Sequence, residues 1–472
     1  MNDYKLTVGM EIHVELKTKT KVFSDSLNNY DSAVNTNVNP LDLAYPGTLP
    51  TLNKEAVELG LKAALLLNCT INKRMHFDRK TYFYPDNPKN FQITQFQTPI
   101  GVDGYVEIEV DGKPKRIGIV DIHIEEDTCK SVHYNNTSLL NFNRAGVPLV
   151  EIVTRPDVKS PEEAVAFLEK LREMLFYANV SDVKIEQGSM RVDANVSVSK
   201  TEELGTKIEV KNIGSITNVG ETIKIEYKRQ IDLFEQGVKL TGETRRLDER
   251  ANTTVLMRVK ETGNDYRCFP EPNIPFTQLS DEYIEAVRAS IPMLPEEMRK
   301  IYVGAGINPI NADKIIQNRS VAEYLNQFLD SNINLVTASN ILLGDISAYL
   351  NKTNKTINDT TLSCERFIDL INKLSSGEIN NKIFKDLLTD IVEKNISIAE
   401  IIKNSGVEKI DDDAVSSIIV DIINSNPEAV NDYKNGNDRS IKFLMGLVMK
   451  ETKGSANPAI ANKMLIDTIS NM

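Results

Sequence analysis

Cysteine is scarce in this 472-residue sequence, and its spacing argues against two kinds of structure. The four cysteines lie far apart and form no Cys-x-x-Cys pair: Cys69, Cys129, Cys268 and Cys364. This spacing argues against a disulfide framework and against a zinc site built from thiolates. Because isolated free cysteines are typical of a reducing compartment, we expect a cytoplasmic protein.

Long apolar runs and targeting segments are also missing. No run of about 18 apolar residues occurs, so no membrane span is indicated. The first residues lack the basic and apolar regions of a secretory signal, and we expect no membrane contact. The net charge of −12 argues against a protein that only coats nucleic acid, although a local basic patch is compatible with it.

Two common catalytic signatures are absent from the sequence. There is no Gly-x-x-x-x-Gly-Lys-Ser/Thr phosphate loop and no Gly-x-Ser-x-Gly nucleophile elbow. His76 and His133 have no convincing serine or cysteine partner. These absences argue against a hydrolase that uses its own covalent nucleophile.

The pattern of apolar residues changes along the chain and predicts an α+β protein. Strands are predicted at 6–15, 104–111, 116–125, 148–154, 190–198 and 206–212, and helices at 53–66 and 161–176. Beyond about residue 280 short amphipathic helices follow one another, at 281–289, 295–303, 310–316, 319–329 and 335–350. A second break falls near residues 404–406. We therefore predict a mixed domain at 1–291, an all-α helical domain at 292–405 and a small helical tail domain at 406–472.

The first predicted strand has an unusual polar face. From Val8 to Glu15 apolar and polar residues alternate, so Glu11 and His13 point away from the core. A carboxylate beside an imidazole on one strand face is a possible half-site for a divalent metal ion. The alternative is an ordinary solvated strand face.

Further carboxylates lie on other predicted strands. They are found at 121–127, at Glu151, at Asp193 beside Asn195, and at Glu209. Glu151 stands out because its neighbours are apolar, and a buried carboxylate is costly unless it is paired or metal-bound. Several strands that each offer a carboxylate suit Mg²⁺ and phosphoryl transfer from a nucleotide. For residues 121–127 and for Asp193, a polar edge or plain surface is the alternative.

Two basic segments are candidates for binding phosphate. The first, at 77–89, combines Arg79 and Lys80 with aromatic residues, and could contact phosphate and stack a base. The second, at 243–249, contains Arg245 and could neutralise a triphosphate together with Arg258 and Arg267. The alternatives are a packed aromatic loop and surface ion pairs, respectively.

Long ordered motifs resemble the B subunit of the aspartyl/glutamyl-tRNA amidotransferases. They are VGMEIHVEL at 8–16, DLAYPGTLP at 42–50, FDRK at 77–80, DNPK at 86–89, IEED at 124–127, NRAGVPLVEI at 143–152, RVDANVS at 191–197, YRCFPEP at 266–272, and GLVMK at 446–450 with GSANP at 454–458. The resemblance spans nearly the whole chain.

The resemblance implies a kinase component of a tRNA-dependent ligase. Such a component uses ATP and Mg²⁺ to phosphorylate the side-chain carboxylate of glutamate on misacylated Glu-tRNA(Gln), and in many organisms of aspartate on Asp-tRNA(Asn). A partner amidase, the A subunit, hydrolyses glutamine to ammonia, which then displaces phosphate, and a small C subunit completes a heterotrimer. The implied fold is a cradle domain related to glutamine synthetase and guanidino kinases, followed by helical domains that grip tRNA.

The resemblance also implies roles for individual residues. The metal ligands and catalytic residues would be Glu11, His13, Glu126 and Glu151, with Glu126 preferred to the adjacent Glu125. Nucleotide contacts are expected from Arg79, Lys80, Asp193, Glu209 and Arg245. Some members hold zinc with four cysteines near the first strand, but residues 23–26 and 39–42 here contain none, so no structural zinc is expected.

Two other functions remain open at this stage. One is a non-catalytic tRNA-binding scaffold that docks an enzyme, which the helical C-terminal half favours mildly. The other is a free-standing carboxylate–amine ligase that needs no partner chain. In the tail, Lys450 and Lys453 are candidates for contact with the tRNA backbone, although a solvated face is an equal alternative.

Overall fold

The computed structural model describes residues 4–211, 213–259, 266–405, 412–452, 456 and 458–471. The chain divides into two compact units, Met1–Leu294 and Pro295–Met472. The predicted division of the second unit near residue 405 stays a prediction, as does the exact end of the first domain. Lys453 and Asn212, which belong to two of the sequence segments discussed above, lie outside the described residues.

The first unit is a mixed α/β structure, as predicted. Its strands are β1 (Lys5–Glu15), β2 (Thr70–Ile71), β3 (Arg74–Met75), β4 (Asp78–Thr81), β5 (Phe91–Thr94), β6 (Gly101–Val110), β7 (Lys113–Glu126), β8 (Lys130–Tyr134), β9 (Thr137–Asn141), β10 (Pro148–Thr154), β11 (Met190–Ser199), β12 (Ile208–Lys211), β13 (Glu243–Asp248), β14 (Thr253–Val259), β15 (Phe269–Pro270) and β16 (Thr277–Gln278). Its helices are α1 (Lys54–Leu66), α2 (Pro161–Tyr177), α3 (Ile216–Glu235) and α4 (Asp281–Ala289), with a 3₁₀ turn at Ile185–Gln187.

A large sheet organises this unit. Within the described residues it has nine strands, in the order β14-β13-β12-β11-β1-β10-β7-β6-β2. Neighbouring strands are antiparallel, except that β12 and β13 run parallel. The long strand β1 therefore lies in the middle, between β10 and β11, and side chains from five strands can meet across one face around it.

One face of the sheet is packed and the other carries polar residues. Val8, Met10, Ile12 and Val14 of β1 are buried in one core cluster with residues of α1, α2 and α3, as the alternation predicted. Helix α2 starts as predicted, because the hydroxyl of Ser160 caps it by accepting from the N–H of Glu163 at 3.2 Å. The opposite face of β1 carries Glu11 and His13.

The second unit is helical in its described part. Its helices are α5 (Pro295–Gly304), α6 (Pro309–Gln317), α7 (Arg319–Asn326), α8 (Leu335–Ile341), α9 (Ser347–Thr353), α10 (Cys364–Ser375), α11 (Asn381–Glu393), α12 (Ile398–Asn404), α13 (Asp412–Ser425), α14 (Pro427–Lys434), α15 (Asp438–Glu451) and α16 (Pro458–Ser470). A π-helical turn at Leu342–Ile346 separates α8 from α9, where the sequence predicted one continuous helix at 335–350.

Two buried clusters hold the helices of the second unit together. The rings of Tyr324, Phe328 and Phe367 pack with centroids 4.9 to 5.2 Å apart. Toward the C-terminus, Ile419 of α13 and Leu444 of α15 are buried in one cluster with residues of α16. None of the helices in the described ranges is both long enough and apolar enough to cross a membrane.

Candidate active site on the open face of the sheet

The strand register brings four polar side chains into one row across the open face. His13 on β1 lies opposite Glu151 on β10 and opposite Arg191 on β11. Glu151 in turn lies opposite His123 on β7. Residues that face one another on neighbouring antiparallel strands point to the same side, so these side chains come from four strands to one place.

The centre of this row is a compact group of possible metal ligands. The Nε2 atom of His13 lies 3.6 Å from Oε1 of Glu125 and 3.5 Å from Oε2 of Glu151. Each of the three residues offers a ligand atom within 4.8 Å of the others. We call His13, Glu125 and Glu151 the first acidic group. An imidazole and two carboxylates at such distances fit a divalent cation with a preference for oxygen and nitrogen.

Electrostatics favour a cation in the first acidic group. Burial, together with the neighbouring Glu151, raises the pKa of Glu125 above its ordinary value. Burial also disfavours the charge on Glu151, but hydrogen bonds from His123 and His13 hold the pKa of Glu151 well below its ordinary value. Two carboxylates that share one partly buried place repel each other, and a positive ion between them relieves that repulsion.

Asp121, His123 and Glu151 form a hydrogen-bonded chain that orients the first acidic group. Nδ1 of His123 is 2.8 Å from Oδ1 of Asp121, and Nε2 of His123 is 3.2 Å from Oε2 of Glu151. Burial favours the neutral imidazole, yet the hydrogen bonds to Asp121 and Glu151 raise the pKa of His123 to about 10. His123 therefore acts as a positively charged support that fixes the position of Glu151.

A second acidic group lies beside the first on the same face. Glu11, Asp193 and Glu209 also offer ligand atoms within 4.8 Å of one another, and we call them the second acidic group. The ammonium of Lys211 lies among them, 2.6 Å from Oδ2 of Asp193 and 3.0 Å from Oε1 of Glu209. The side-chain amide of Asn195 donates to Glu11 at 3.0 Å.

Of the four metal ligands that the resemblance implied, His13 and Glu151 lie in the first acidic group and Glu11 lies in the second, whereas Glu126 lies elsewhere. Glu126 lies on the other face of β7, where it accepts from the N–H of Ile93 at 2.8 Å and pairs with the ammonium of Lys89. Because successive strand residues point to opposite faces, only one of two adjacent glutamates can join the first acidic group. That residue is Glu125.

The predicted basic residues have different surroundings. Arg79 makes two hydrogen bonds to the buried Glu271, at 2.5 and 3.1 Å, and lies over the ring of Phe91. Lys80, by contrast, lies close enough to Glu125 to oppose the rise of its pKa. It also lies over the ring of Tyr266, with Nζ 5.3 Å from the centroid.

Arg245 faces the packed side of the sheet. Its guanidinium donates to the carboxylate of Glu243 at 2.7 Å and to Thr254, and it lies 3.9 Å from the buried Glu226 of α3. Its neighbour Arg246 pairs in register with Lys211 and so shares the open face. The alternation of faces along β13 thus brings Arg246, rather than Arg245, to the side of the acidic groups.

Three residues of the site did not emerge from sequence reasoning. The supporting role of His123 and Asp121 and the position of Lys211 depend on which strands are neighbours, which no local pattern reveals. Alternation along residues 121–127 predicts that His123 and Glu125 share one face of the strand. That signal, combined with the histidine on β1, could have selected Glu125.

The two stretches without cysteine at 23–26 and 39–42 are held by a buried ion pair. The carboxylate of Asp42 accepts from the ammonium of Lys21 at 3.1 Å and from the hydroxyls of Ser24 and Ser26 at 2.8 and 2.6 Å. Both charged side chains are almost completely buried. Burial lowers the pKa of Lys21, and the paired Asp42 partly opposes that effect.

Comparisons with known proteins match nearly the whole chain. A family model described as the GatB/GatE catalytic domain matches residues 6–285, more than half of the chain, and a model described as the GatB domain matches residues 323–469. The B subunit of the aspartyl/glutamyl-tRNA(Asn/Gln) amidotransferase of Geobacillus thermodenitrificans is 45% identical over 473 residues, which cover 99% of both chains. The corresponding protein of Bacillus velezensis is 45% identical over 472 residues, again covering 99% of each chain.

Proposed function

Since this chain belongs to the family of aspartyl/glutamyl-tRNA(Asn/Gln) amidotransferase B subunits, we propose that the open face of its sheet activates a tRNA-bound carboxylate with ATP. The protein is part of a ligase that forms carbon–nitrogen bonds with glutamine as the amido donor. The observation that carries the proposal is the convergence of His13, Glu125 and Glu151 on one place.

The first acidic group would hold a divalent cation, for which Mg²⁺ is our proposal. His13, Glu125 and Glu151 would be its protein ligands, with Glu125 taking the place that the sequence assigned to Glu126. Such an ion neutralises phosphate charge when a nucleotide is bound. His123 keeps the carboxylate of Glu151 ionised and oriented toward the site, and Asp121 fixes the orientation of the His123 imidazole.

The reaction that we propose has two steps that balance. An oxygen of the side-chain carboxylate of tRNA-bound glutamate, or of aspartate, attacks the γ-phosphorus of ATP, and the bond to the β-phosphate oxygen breaks to release ADP. Ammonia then attacks the carbonyl carbon of the acyl phosphate, loses a proton, and expels inorganic phosphate to leave the amide. This chain's part is to position the reactants and exclude water.

Basic residues near the acidic groups are our candidates for contacting the phosphates. Lys80 lies near Glu125, and Arg246 shares the open face with Lys211. Arg79 and Arg245 have carboxylate partners within the fold, so we propose that they support the scaffold. Asp193 and Glu209 would border the nucleotide rather than touch its phosphates, since like charges repel.

Partner chains and tRNA complete the proposal. We propose that an amidase, the A subunit, supplies ammonia, that a small C subunit joins the two, and that the helical second unit contacts the tRNA. We also propose that the first unit is related to glutamine synthetase and guanidino kinases; the sheet with one open, acidic face supports this relationship. A non-catalytic scaffold is not favoured, because a scaffold has no need for a partly buried group of converging carboxylates.

An amidation assay tests this proposal. The reconstituted complex is given misacylated tRNA, ATP, Mg²⁺ and glutamine, and amide formation and glutamine hydrolysis are followed separately. We expect Glu151→Gln to lower amide formation at least a hundredfold while tRNA binding persists. The control is Glu109→Gln, which alters an exposed carboxylate on β6 of the same sheet and should leave the rate unchanged. Undiminished amidation by Glu151→Gln would overturn the proposal.

A further inference from the structure

Lys211 contacts two of the three carboxylates of the second acidic group. It follows Glu209 by two residues on β12, so both side chains are on the open face. Its ammonium contacts Asp193 at 2.6 Å and Glu209 at 3.0 Å, from two different strands. A lysine ammonium is a compact cation with three donor hydrogens, and it satisfies carboxylate oxygens much as a hard metal ion does.

The two acidic groups differ in the positively charged side chains that pair with them. In the second acidic group the ammonium of Lys211 pairs with two of the three carboxylates, those of Asp193 and Glu209. Burial disfavours the charge on Lys211, but Asp193 and Glu209 outweigh it and raise the pKa of Lys211. In the first acidic group, the ion-pair partners of Glu125 and Glu151 among the described residues are His13 and His123, and Lys80 acts on Glu125 without being one of these partners.

The other partners of the second acidic group also fit a filled cation position. The amide of Asn195 donates to Glu11 at 3.0 Å, and the hydroxyl of Thr244 donates to Glu209 at 3.0 Å. Donors that surround a carboxylate satisfy the oxygens that a metal ion would otherwise bind. The carboxylates of Glu11 and Glu209 therefore have donors within the fold, although Oδ1 of Asn195 beside them has no hydrogen-bond partner in the described structure. Within the described residues, the first acidic group has no ammonium in a comparable position.

We propose that the ammonium of Lys211 takes the place of a second divalent cation, so that the site binds one metal ion where the arrangement of carboxylates would otherwise hold two. This inference rests on the proposed function in one respect: it assumes that the single metal ion binds to the first acidic group. Lys211 is thus a positioning residue: it keeps Asp193 and Glu209 together and leaves the first acidic group as the metal-binding one.

Counting bound Mn²⁺ tests this inference directly. The full-length chain is titrated with Mn²⁺ without nucleotide, and free Mn²⁺ is measured by electron paramagnetic resonance. We expect Lys211→Met to bind one more ion per chain than the unaltered protein. We also expect Mn²⁺ to raise the unfolding temperature of Lys211→Met by more than that of the unaltered protein, because an ion replaces the lost ammonium.

Matched variants separate this effect from general loss of structure. Lys207→Met removes an exposed lysine that precedes the same strand, and it should bind as many ions as the unaltered protein. In the double variant Lys211→Met with Asp193→Asn, the additional ion should be lost again. If Lys211→Met folds poorly, Lys211→Gln is used in the same titration.

The number of bound Mn²⁺ ions decides between the possible outcomes. Equal ion counts for Lys211→Met and the unaltered protein would overturn the inference, as would two tightly bound ions in the unaltered protein. An unaltered protein that binds no ion while Lys211→Met binds one would support the role of Lys211 and contradict the metal site of the proposed function. The two proposals therefore fail in distinguishable ways.

Discussion

Adjacent glutamates on β7 have opposite surroundings, and this decides which of them can bind a metal ion. Glu125 faces His13 on the open side, whereas Glu126 faces Lys89 and the backbone of β5. The local pattern was sufficient to show that the two residues lie on different faces. It was not sufficient to show which face holds His13 and Glu151, because that depends on the pairing of β7 with β10.

Glu125 and Glu126 should respond differently to the same substitution. We expect Glu125→Gln to weaken Mn²⁺ binding at least tenfold, because a neutral amide is a poor substitute for an anionic ligand. Glu126→Gln should leave Mn²⁺ affinity within about twofold, and should instead lower the unfolding temperature because the Lys89 pair is lost. Calorimetric titration and thermal unfolding of both variants check this, and equal loss of Mn²⁺ affinity would contradict it.

The buried pair of Lys21 and Asp42 should contribute strongly to stability. Removing one partner of a buried ion pair leaves an unpaired charge, so Lys21→Met should lower the free energy of unfolding by about 3–5 kcal/mol. Urea denaturation measures this loss. Lys17→Met is the control, since the Lys17–Asp182 pair is exposed and should contribute less than about 1 kcal/mol. Similar losses in the two variants would count against the role given to the Lys21 pair.

At the scale of elements, α3 holds the edge of the sheet that carries Arg246. Glu226 of α3 is completely buried and accepts from Arg229 at 2.6 Å and from the hydroxyl of Thr254 on β14 at 3.0 Å. Arg245 on β13 joins the same network. The sequence predicted an arginine for phosphate at 245, but the parallel pairing of β12 with β13, which sets its face, could not be read from local periodicity.

Loss of this network should loosen the edge strands selectively. In Arg245→Met the partly buried carboxylate of Glu243 loses a donor and the buried Glu226 loses a nearby positive charge, and we expect faster amide hydrogen exchange in β13 and β14. Exchange in β1 and β10, which lie in the middle of the sheet, should stay unchanged. Hydrogen-exchange mass spectrometry distinguishes the two regions, and uniform acceleration would show that the network does not act locally.

The contact between β4 and β15 should depend on pH. Burial favours the neutral form of Glu271, but Arg79 and Asn273 hold the pKa of Glu271 below its ordinary value. Its ionised form therefore stabilises the fold above the ordinary glutamate pKa, and this stabilisation is lost as the pH falls through the lowered pKa. We expect Glu271→Gln to be less stable at neutral pH and to lose less stability on acidification. Parallel acid-denaturation slopes for the two proteins would contradict this.

At the scale of the whole molecule, the candidate site belongs entirely to the first unit. Both acidic groups and the core beneath them lie within Met1–Leu294. The pattern of apolar residues predicted a mixed region followed by a helical one, and elements such as β10 and α2 were predicted within two residues of their observed ends. The 20-residue helix α3 was not predicted. The order of the strands was beyond prediction, because antiparallel partners such as β1 and β11 are separated by more than 170 residues.

A fragment of residues 1–294 should therefore fold and bind Mn²⁺ as the full chain does. We expect its metal affinity to remain within about threefold, because the ligands and their supports are all present. A complex assembled with this fragment should form no amide on tRNA, because we propose that the missing second unit binds tRNA. A fragment that folds but fails to bind Mn²⁺ would show that the metal site needs residues from both units.

The most direct test of the proposed activation is to trap the activated carboxylate. The complex is incubated with misacylated tRNA, ATP, Mg²⁺ and hydroxylamine, but without an ammonia source, and side-chain hydroxamate on the tRNA is measured. We predict hydroxamate that requires ATP and Mg²⁺ and that falls at least a hundredfold in Glu151→Gln. Hydroxamate formed without ATP, or formed equally well by Glu151→Gln, would contradict the claim that the carboxylates on this sheet face serve the activation of the substrate.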